Sequence, residues 1–367
     1  MKILVAGAGP AGLYFAYLAK RRHPEWQLRV LEQNAADSTF GFGVVFSERA
    51  LEFLRGDDPE TYEAITPQME QWTDLTVVHR RTPVVIDGIG FSAIGRLKFL
   101  RLMQERAASA GVVPEFQSRV SDPRDLGRYD LIVAADGANS VVRRAADFGT
   151  TVTPLTNKFA WFGTAKIFST LTQTFVENEH GYFNAHHYRH SADMSTFVFE
   201  CDAGTWQRAG FASMNEAQTL AYAQRTFADT LGGHRLVSNK SVWRNFPNVR
   251  NARWHAGNVV LIGDALRTAH FSIGSGTRLA MEDAIALAGA LEEHALPRAL
   301  DAYEAARRPV VEKLVAAADA SGGWYQRFPE HMKLPPREFA WSYIQRSGRI
   351  DPARLRKTSP RFVDATT

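Results

Sequence analysis

Cysteine is nearly missing from this chain: Cys201 is the single one in 367 residues, which excludes an internal disulfide and any site built on several thiolates. Its setting in "STFVFEC" predicts a buried strand thiol. No run of 18 uncharged apolar residues occurs, so no membrane-spanning helix is expected and a cytoplasmic location is the default reading. Charge of one sign is also scarce, because 43 Lys and Arg against 39 Asp and Glu leave only +4. No basic run interleaved with aromatics suggests a nucleic-acid surface. Internal repeats and low-complexity linkers are lacking as well. With 45% apolar residues the chain can bury a large core, in one or two domains. A local bias lies near the end, where Lys333, Arg337, Arg346, Arg349, Arg354, Arg356, Lys357 and Arg361 outnumber Glu338, Asp351 and Asp364. This basic tail reads either as a solvated surface or as an attraction for a phosphate-bearing ligand.

The first residues carry the strongest local pattern. "MKILVAGAGPAGLYFAYLAKRR" is a short apolar strand, then Gly7-Ala8-Gly9-Pro10-Ala11-Gly12, then Leu13, Ala16, Tyr17 and Leu18 at helical spacing. Glycines in that setting let the backbone approach a pyrophosphate, whose charge the helix N-terminus favours. A second strand, "QLRVLEQN", ends in Glu32, 32 − 12 = 20 residues beyond Gly12, with Gln33 beside it. A carboxylate there accepts hydrogen bonds from a ribose diol. The pattern predicts a dinucleotide site and leaves NAD and FAD open, since both carry the same adenosine diphosphate half.

Two later markers bear on that choice. In "RYDLIVAADGANSVVRR" the strand Leu131 to Ala134 runs into Asp136-Gly137, and in "NVVLIGDALRTAHFSIGSGTRLAMEDA" the apolar run Val259 to Ile262 ends in Gly263-Asp264. An NAD-binding domain is normally complete within about 150 residues. A ligand touched by three such separated segments is longer than one held by a single βαβ unit, which favours FAD. Asp264 is placed to accept from a ribityl hydroxyl. The turn Gly274-Ser275-Gly276-Thr277-Arg278 opens a helix whose free N–H groups, those of Thr277 and Arg278 among them, favour the negative charge of a reduced flavin.

In this order the three markers resemble the single-component (group A) FAD-dependent aromatic monooxygenases. The segments "TFGFGVVFS", "ENEHGYFNAH", "STFVFEC", "WRNFPNVRN", "GNVVLIGDA" and "TAHFSIGSGTRLAMEDAIALA" are similar to the hydroxylase part of salicylyl-CoA 5-hydroxylase and 2-aminobenzoyl-CoA monooxygenase. "GDAL", "HFSIG" and "STF" are similar also to the tryptophan hydroxylase of violacein biosynthesis. Together they run over most of Met1 to about Phe328. The resemblance implies an α/β fold: an FAD-binding Rossmann-like domain with an inserted antiparallel β-sheet substrate domain and a C-terminal helical region. The expected division is residues 1–72, 96–155 and 251–295 for FAD binding, 73–95 and 156–250 for substrate, and 296–367 for C-terminal helices and the basic tail.

The implied activity is hydroxylation of an activated aromatic ring through a flavin C4a-hydroperoxide, with FAD as cofactor, NADH or NADPH as co-substrate and O2 as oxidant. No second GxGxxG exists, so the nicotinamide is expected to dock transiently. The expected substrate is an aromatic acyl-CoA thioester such as salicylyl-CoA or 2-aminobenzoyl-CoA, hydroxylated at position 5. A tryptophan-like, indole or free aromatic acid substrate stays open beside it, with a non-catalytic flavin protein as the remoter alternative. The partner is a small molecule, with no nucleic acid or membrane, and the chain is expected to be a monomer or weak homo-oligomer.

Two departures from the group matter. Its usual Gly-Asp-Ala-Ala-His and following Pro are replaced here by Leu266, Arg267 and, at the Pro position, Phe271. The resemblance therefore implies that His270, Phe271 and Ser272 line the reaction chamber, with His270 the candidate for any side-chain assistance against a purely structural role. The salicylyl-CoA and 2-aminobenzoyl-CoA enzymes also carry a reductase domain, and this chain stops at Thr367.

Arg96, at the start of "RLKFLRLMQERAA", occupies the place of an arginine near the flavin, or else is a solvated helix residue. Val120, ending "EFQSRV", is expected as a strand end whose backbone lies over the adenine. Arg143 is expected to brace the Asp136 turn. His180, His186, His187 and His190 suggest a metal, but strand alternation separates His187 from His186 and His190 and no acid completes a set, so none is expected. His186 and Tyr188 share a face and, with Trp161, are candidates for the substrate wall or for plain packing.

Overall fold

A strand, a glycine turn and a helix open the fold as their residues dictate. The computed structural model describes residues 1–47, 50–120 and 129–365. Lys2–Ala6 is buried on both faces from Ile3 onward, as the unbroken apolar run requires of a central parallel strand. It pairs in parallel with Gln27–Leu31 on one side and Leu131–Ala134 on the other. Val259–Leu261 adds beyond Leu131–Ala134, also parallel, and His255–Ala256 closes that edge antiparallel. The crossover helix Pro10–Arg22 buries Leu13 through Ala19 against this sheet and against the helix Gly276–Glu293. Proline at its first turn needs no N–H there, and Lys20, Arg21 and Arg22 suit its C-terminal end.

The second sheet has the order Leu236–Ser238, Thr150–Thr164, Ser195–Cys201, Gly181–Arg189, Leu171–Asn178, Leu75–His79, Thr82–Ile86, and Arg244–Asn251 also pairs with the long Thr150–Thr164 strand. It is not wholly antiparallel as expected, because Leu171–Asn178 runs parallel to Leu75–His79. The boundary expected at 155 falls inside Thr150–Thr164, whose pairing with Arg244–Asn251 begins at Thr150 and so extends the substrate sheet into the cofactor segment. Alternation sorts the residues of this sheet. Phe162, Phe183, Phe197, Phe199 and Cys201 pack beneath the helices Ala203–Arg208 and Glu216–Thr226. Phe159, Trp161, His186, Tyr188 and Glu200 take the other face, toward the cofactor domain and the helix Arg298–Gln326. Gly43–Ser47, Phe91–Gly95 and Glu70–Trp72 form a third sheet of three strands, tied to the second by the Tyr188 hydroxyl on the Gly43 carbonyl.

"EFQSRV" is not a strand. Only Glu115 makes a parallel bridge, to Leu31, and Gln117 turns the chain away at φ 53°. The basic end is a folded cap rather than a free tail, because Leu355, Phe362 and Val363 are buried in an apolar cluster with Ile86 and Tyr343. Arg361 lies 3.4 Å from Asp74 and 3.5 Å from Asp87, and Arg337 donates to the Phe362 carbonyl. Among the described residues no helix is long and apolar enough to cross a membrane.

Candidate active site

The glycines of the first loop divide into those that pack and one that leaves room. A Cβ on Gly12 would stand 2.0 Å from the Gly7 carbonyl oxygen, and one on Gly7, whose φ is +101°, 2.3 Å from the Ala135 oxygen. Both positions therefore hold helix and strand at backbone contact. At Gly9, by contrast, a Cβ would meet nothing within 4 Å. Gly9 is the N-cap of Pro10–Arg22 without any side-chain cap, so the orphan N–H groups of that first turn, Ala11 and Gly12 included, border open space. Glu32 leans onto the loop: its carboxylate accepts from the Ala8 N–H at 3.0 Å, the Asn34 N–H at 2.9 Å and the Asn34 amide at 2.8 Å. A carboxylate offers about four acceptor positions, so one is left for a ribose hydroxyl. Gln33 beside it is exposed. On the far side of Glu32 the Glu115 carbonyl takes the Glu32 N–H and the Glu32 carbonyl takes the Ser118 N–H, bringing the segment before Val120 to the same rim.

Asp136 turns its own segment. Its Oδ2 accepts from the N–H groups of Val141 at 2.7 Å and Val142 at 3.2 Å, Gly137 adopts φ +81°, and Oδ1 is buried without a partner. Arg143 does brace this turn, donating to the Ala138 carbonyl at 2.6 Å and, across to the third marker, to the Ala265 carbonyl at 2.8 Å.

At that third marker Gly263 takes φ +59° and Asp264 sits in the short helix Gly263–Leu266. Burial pushes the Asp264 carboxyl up, against the pull of Arg267 and Arg96, and burial likewise pushes the Arg96 guanidinium down. Both side chains are nevertheless open to solvent by their own surface. Groups enclosed by protein and yet accessible line a deep cleft, here one with an acceptor and a cation of opposite charge. Gly276 continues that border: a Cβ there would meet nothing within 4 Å, while Gly274 provides the αL turn at φ +60°. The first bond after the cap is Leu279 N–H to the Ser275 carbonyl, so the N–H groups of Gly276, Thr277 and Arg278 precede the helical ladder. An acceptor, a cation, two uncapped helix starts and glycines opening on free space fit the ribityl chain, pyrophosphate and pyrimidine edge of FAD.

The departure at Arg267 has a structural reason. Arg267 is 5% exposed, donates to the Gly263 carbonyl at 2.8 Å and pairs with Asp283 at 2.8 Å. Asp283 also accepts the Gly263 N–H at 3.1 Å and meets Arg307 at 3.3 Å. These charges fasten the Gly263 turn from below, away from the cleft.

Above the turn lies a box of partly open rings. Phe271 is 5.0 Å from Phe159, 6.3 Å from Trp161 and 6.1 Å from Phe246 between ring centres. His186 approaches Phe271 at 6.5 Å and Tyr188 at 5.3 Å, and neither ring nitrogen of His186 has a partner. The Tyr188 hydroxyl instead donates to the Gly43 carbonyl at 3.0 Å, which ties the Gly41–Gly43 segment to the wall rather than presenting a donor to substrate. Ser272 is likewise engaged, 2.7 Å from both His270 Nδ1 and the Ser321 hydroxyl. Burial, with the nearby charge of Arg346, lowers both His186 and His270 to about 3. Such rings are neutral at pH 7 and too weakly basic to take a proton there, so a proton-accepting role for His270 gets no support from its surroundings.

The other histidines disperse. His187 points to the opposite face, 2.9 Å from Thr174, where it borders a separate cavity of about 820 Å³ that includes none of the residues above. His180 meets Tyr222 at 2.7 Å and His190 meets Thr196 at 3.1 Å. Among the described residues no group of three His, Cys, Asp or Glu is placed to hold a metal ion.

Three chamber residues escaped the sequence reading. Phe159 was accessible to it, two positions before Trp161 on the same strand face. Phe246 lies within "WRNFPNVRN" but has no periodic signal. Arg346, just beyond the helix Pro336–Gln345, reaches the Ser272 carbonyl at 2.9 Å across 74 residues of sequence.

Residues 96–318 match the FAD binding domain family. The salicyloyl-CoA 5-hydroxylase of a Streptomyces species is 42% identical over 99% of this chain and 73% of its own length. The 3-hydroxy-4-methyl-anthranilyl-[aryl-carrier protein] 5-monooxygenase of Streptosporangium sibiricum is 39% identical over 90% of each chain. Protodeoxyviolaceinate monooxygenase of Chromobacterium violaceum is 34% identical over 96% of each. With the family match covering more than half of its length and relatives of this identity along nearly all of it, the chain belongs to the FAD-binding monooxygenases and is an FAD-dependent aromatic hydroxylase that uses NAD(P)H and O2.

Proposed function

We propose that this hydroxylase acts on an aromatic acyl thioester with an ortho hydroxyl or amino group, at the ring carbon para to that group. The observation that carries the reading is the likeness, at 42% and 39% identity, to two enzymes whose names specify thioester-linked substrates and position 5. The box of Phe159, Trp161, Phe246 and Phe271 supports it, since four rings beside the Asp264 turn suit a flat aromatic group. A positive patch supports the thioester: Arg354 lies against Arg349, donating to its carbonyl at 3.4 Å, in the basic end that also carries Arg356 and Lys357. Such a cluster suits the phosphates of a CoA carrier.

FAD, when bound, supplies the redox chemistry by taking electrons from NADH or NADPH and activating O2. The chain's own part is placement and electrostatics. Gly9, with Pro10 fixing the first turn behind it, leaves the pyrophosphate the N–H groups of Ala11 and Gly12, Glu32 accepts from the ribose and Asp264 from the ribityl chain. The N–H groups of Gly276, Thr277 and Arg278 favour negative charge at the pyrimidine edge. Trp161, Phe271 and their ring neighbours exclude water and fix the ring plane, and His270 with Ser272 holds Phe271 in place.

NADH consumption and product mass with salicylyl-CoA, 2-aminobenzoyl-CoA, the free acids and tryptophan side by side test the reading. Hydroxylation of a thioester with the free acids and tryptophan inert is expected. Turnover of a free acid or tryptophan with neither thioester touched rejects it.

A further inference from the structure

We propose that Arg346 binds the ortho oxygen of the substrate ring as a phenolate and thereby makes the enzyme select ortho-hydroxyl over ortho-amino rings; the proposal rests on the aryl-thioester reading above. The Arg346 guanidinium lies 3.9 Å over the Tyr343 ring, donates to the Tyr343 and Ser272 carbonyls at 2.9 Å each, and keeps a buried Nε without a partner. Among the described residues no carboxylate forms an ion pair with it, whereas the cations beneath the cofactor turn are matched by Asp283 and Glu282. Its bond to the Ser272 carbonyl sets it next to the Phe271 loop, and it lies 6.0 Å from the Tyr325 ring, itself 5.8 Å from His270, at the substrate end of the chamber.

Of the other titratable groups there only Glu200 carries partial negative charge near neutral pH, and it forms no ion pair with Arg346 among the described residues. His186 and His270 are neutral, and burial raises both Tyr325 and Tyr343. Glu200, on the strand Ser195–Cys201, is raised to about 7 by burial and is held by Asn157 at 2.8 Å. A guanidinium that cannot give up its proton and has a spare N–H is satisfied by an oxygen anion from the ligand. A phenolate meets that requirement and sends electron density to the para carbon, the one to be hydroxylated. An ortho amine would set N–H donors against an N–H donor.

The test uses the oxidised holoenzyme, wild type, Arg346→Gln and Arg346→Lys, titrated with salicylyl-CoA, 2-aminobenzoyl-CoA, benzoyl-CoA and, as free acids, salicylate and benzoate. Binding is read from the flavin absorbance and ionisation of the bound phenol from its own band across pH. Arg346→Gln is expected to weaken the salicylyl ligand roughly ten- to hundred-fold and to raise the pH at which the bound phenol ionises, as expected for loss of a charge-assisted hydrogen bond. Benzoyl-CoA and 2-aminobenzoyl-CoA should change little, and Arg346→Lys should recover part of the loss. If Arg346→Gln does not fold, the lysine variant carries the same reading as a smaller shift in phenol ionisation. Equal weakening of all three thioesters, or an unchanged phenol ionisation, overturns the proposal. If salicylate binds and salicylyl-CoA does not, the thioester reading fails, and the salicylate-to-benzoate ratio then decides Arg346 alone.

Discussion

The cofactor cleft and the substrate chamber are built from opposite materials. The cleft is assembled from local strand-turn-helix units, and the charges that fasten it from below are matched within the chain: Arg267 and Arg307 with Asp283, Arg278 with Glu282. The chamber draws on Thr150–Thr164, Gly181–Arg189, Arg244–Asn251, the Phe271 loop and the helix before Arg346, and it is aromatic, with neutral histidines and one unmatched cation. A cofactor that stays bound is served by backbone donors and acceptors that local turns hold open toward it. A substrate that must be chosen is served by groups left wanting, which only the right ligand completes.

The glycine loop gives the largest expected effects. Gly12→Ala drives a methyl group into the Gly7 carbonyl and should abolish soluble protein, whereas Gly9→Ala, with free space around it, should fold and purify pale. Equal behaviour of the two would dissolve the distinction between packing and cradle glycines. Next, Arg267→Met leaves Asp283 short of its shortest ion pair in a buried site and should cost about 3 kcal/mol or more by denaturant melt, with FAD lost as the turn loosens. Asp264→Ala acts on the cleft side of the same turn: flavin titration of the apoprotein should show affinity lower by about 1–3 kcal/mol, roughly five- to 100-fold, with the melt unchanged. A fully yellow, fully active variant would remove Asp264 from the cofactor site.

pH acts on the chamber through groups of opposite sign. His186 and His270 have folded pKa values near 3, below the ordinary 6.5, so their contribution to stability is present above pH 6.5 and is lost as pH falls toward 3. The limiting slope is about 1.4 kcal/mol per pH unit for each ring. Glu200, raised from 4.5 to about 7, has the opposite sign, its contribution being present below pH 4.5 and lost as pH rises through 7. His186→Phe should flatten the acid limb of a melting-temperature profile and Glu200→Gln the limb above it. Smallest of all, Arg354→Glu should raise KM for the thioester about threefold through lost surface attraction and leave a truncated thioester unaffected. Steady-state kinetics at two salt concentrations reads this.

The same contrast explains what was legible in the sequence. Gly7 to Gly12, Glu32, Asp136 and Asp264 lie at the ends of apolar strands, where local periodicity and glycine chemistry announce a turn. Chamber residues carry no such signal, because a half-buried ring on a strand looks alike whether it lines a cavity or packs a core. Tyr188 and Ser272 lie at the edge of the ring box, and their hydroxyls are spent on Gly43 and on His270 with Ser321. The mixed direction of the substrate sheet arises from pairing Leu75–His79 with Leu171–Asn178, about a hundred residues apart, which no local pattern encodes. The basic end read as a tail because its charges outnumber its apolar anchors, although Leu355, Phe362 and Val363 suffice to dock it.

The most direct test of the account is oxygen transfer to the ring itself. Holoenzyme supplied with NADH, salicylyl-CoA and isotopically labelled O2 should give one thioester product carrying a single labelled oxygen on the carbon para to the original hydroxyl, with NADH consumed in equal amount. NADH oxidation that yields only hydrogen peroxide, or a product whose added oxygen comes from water, would contradict it.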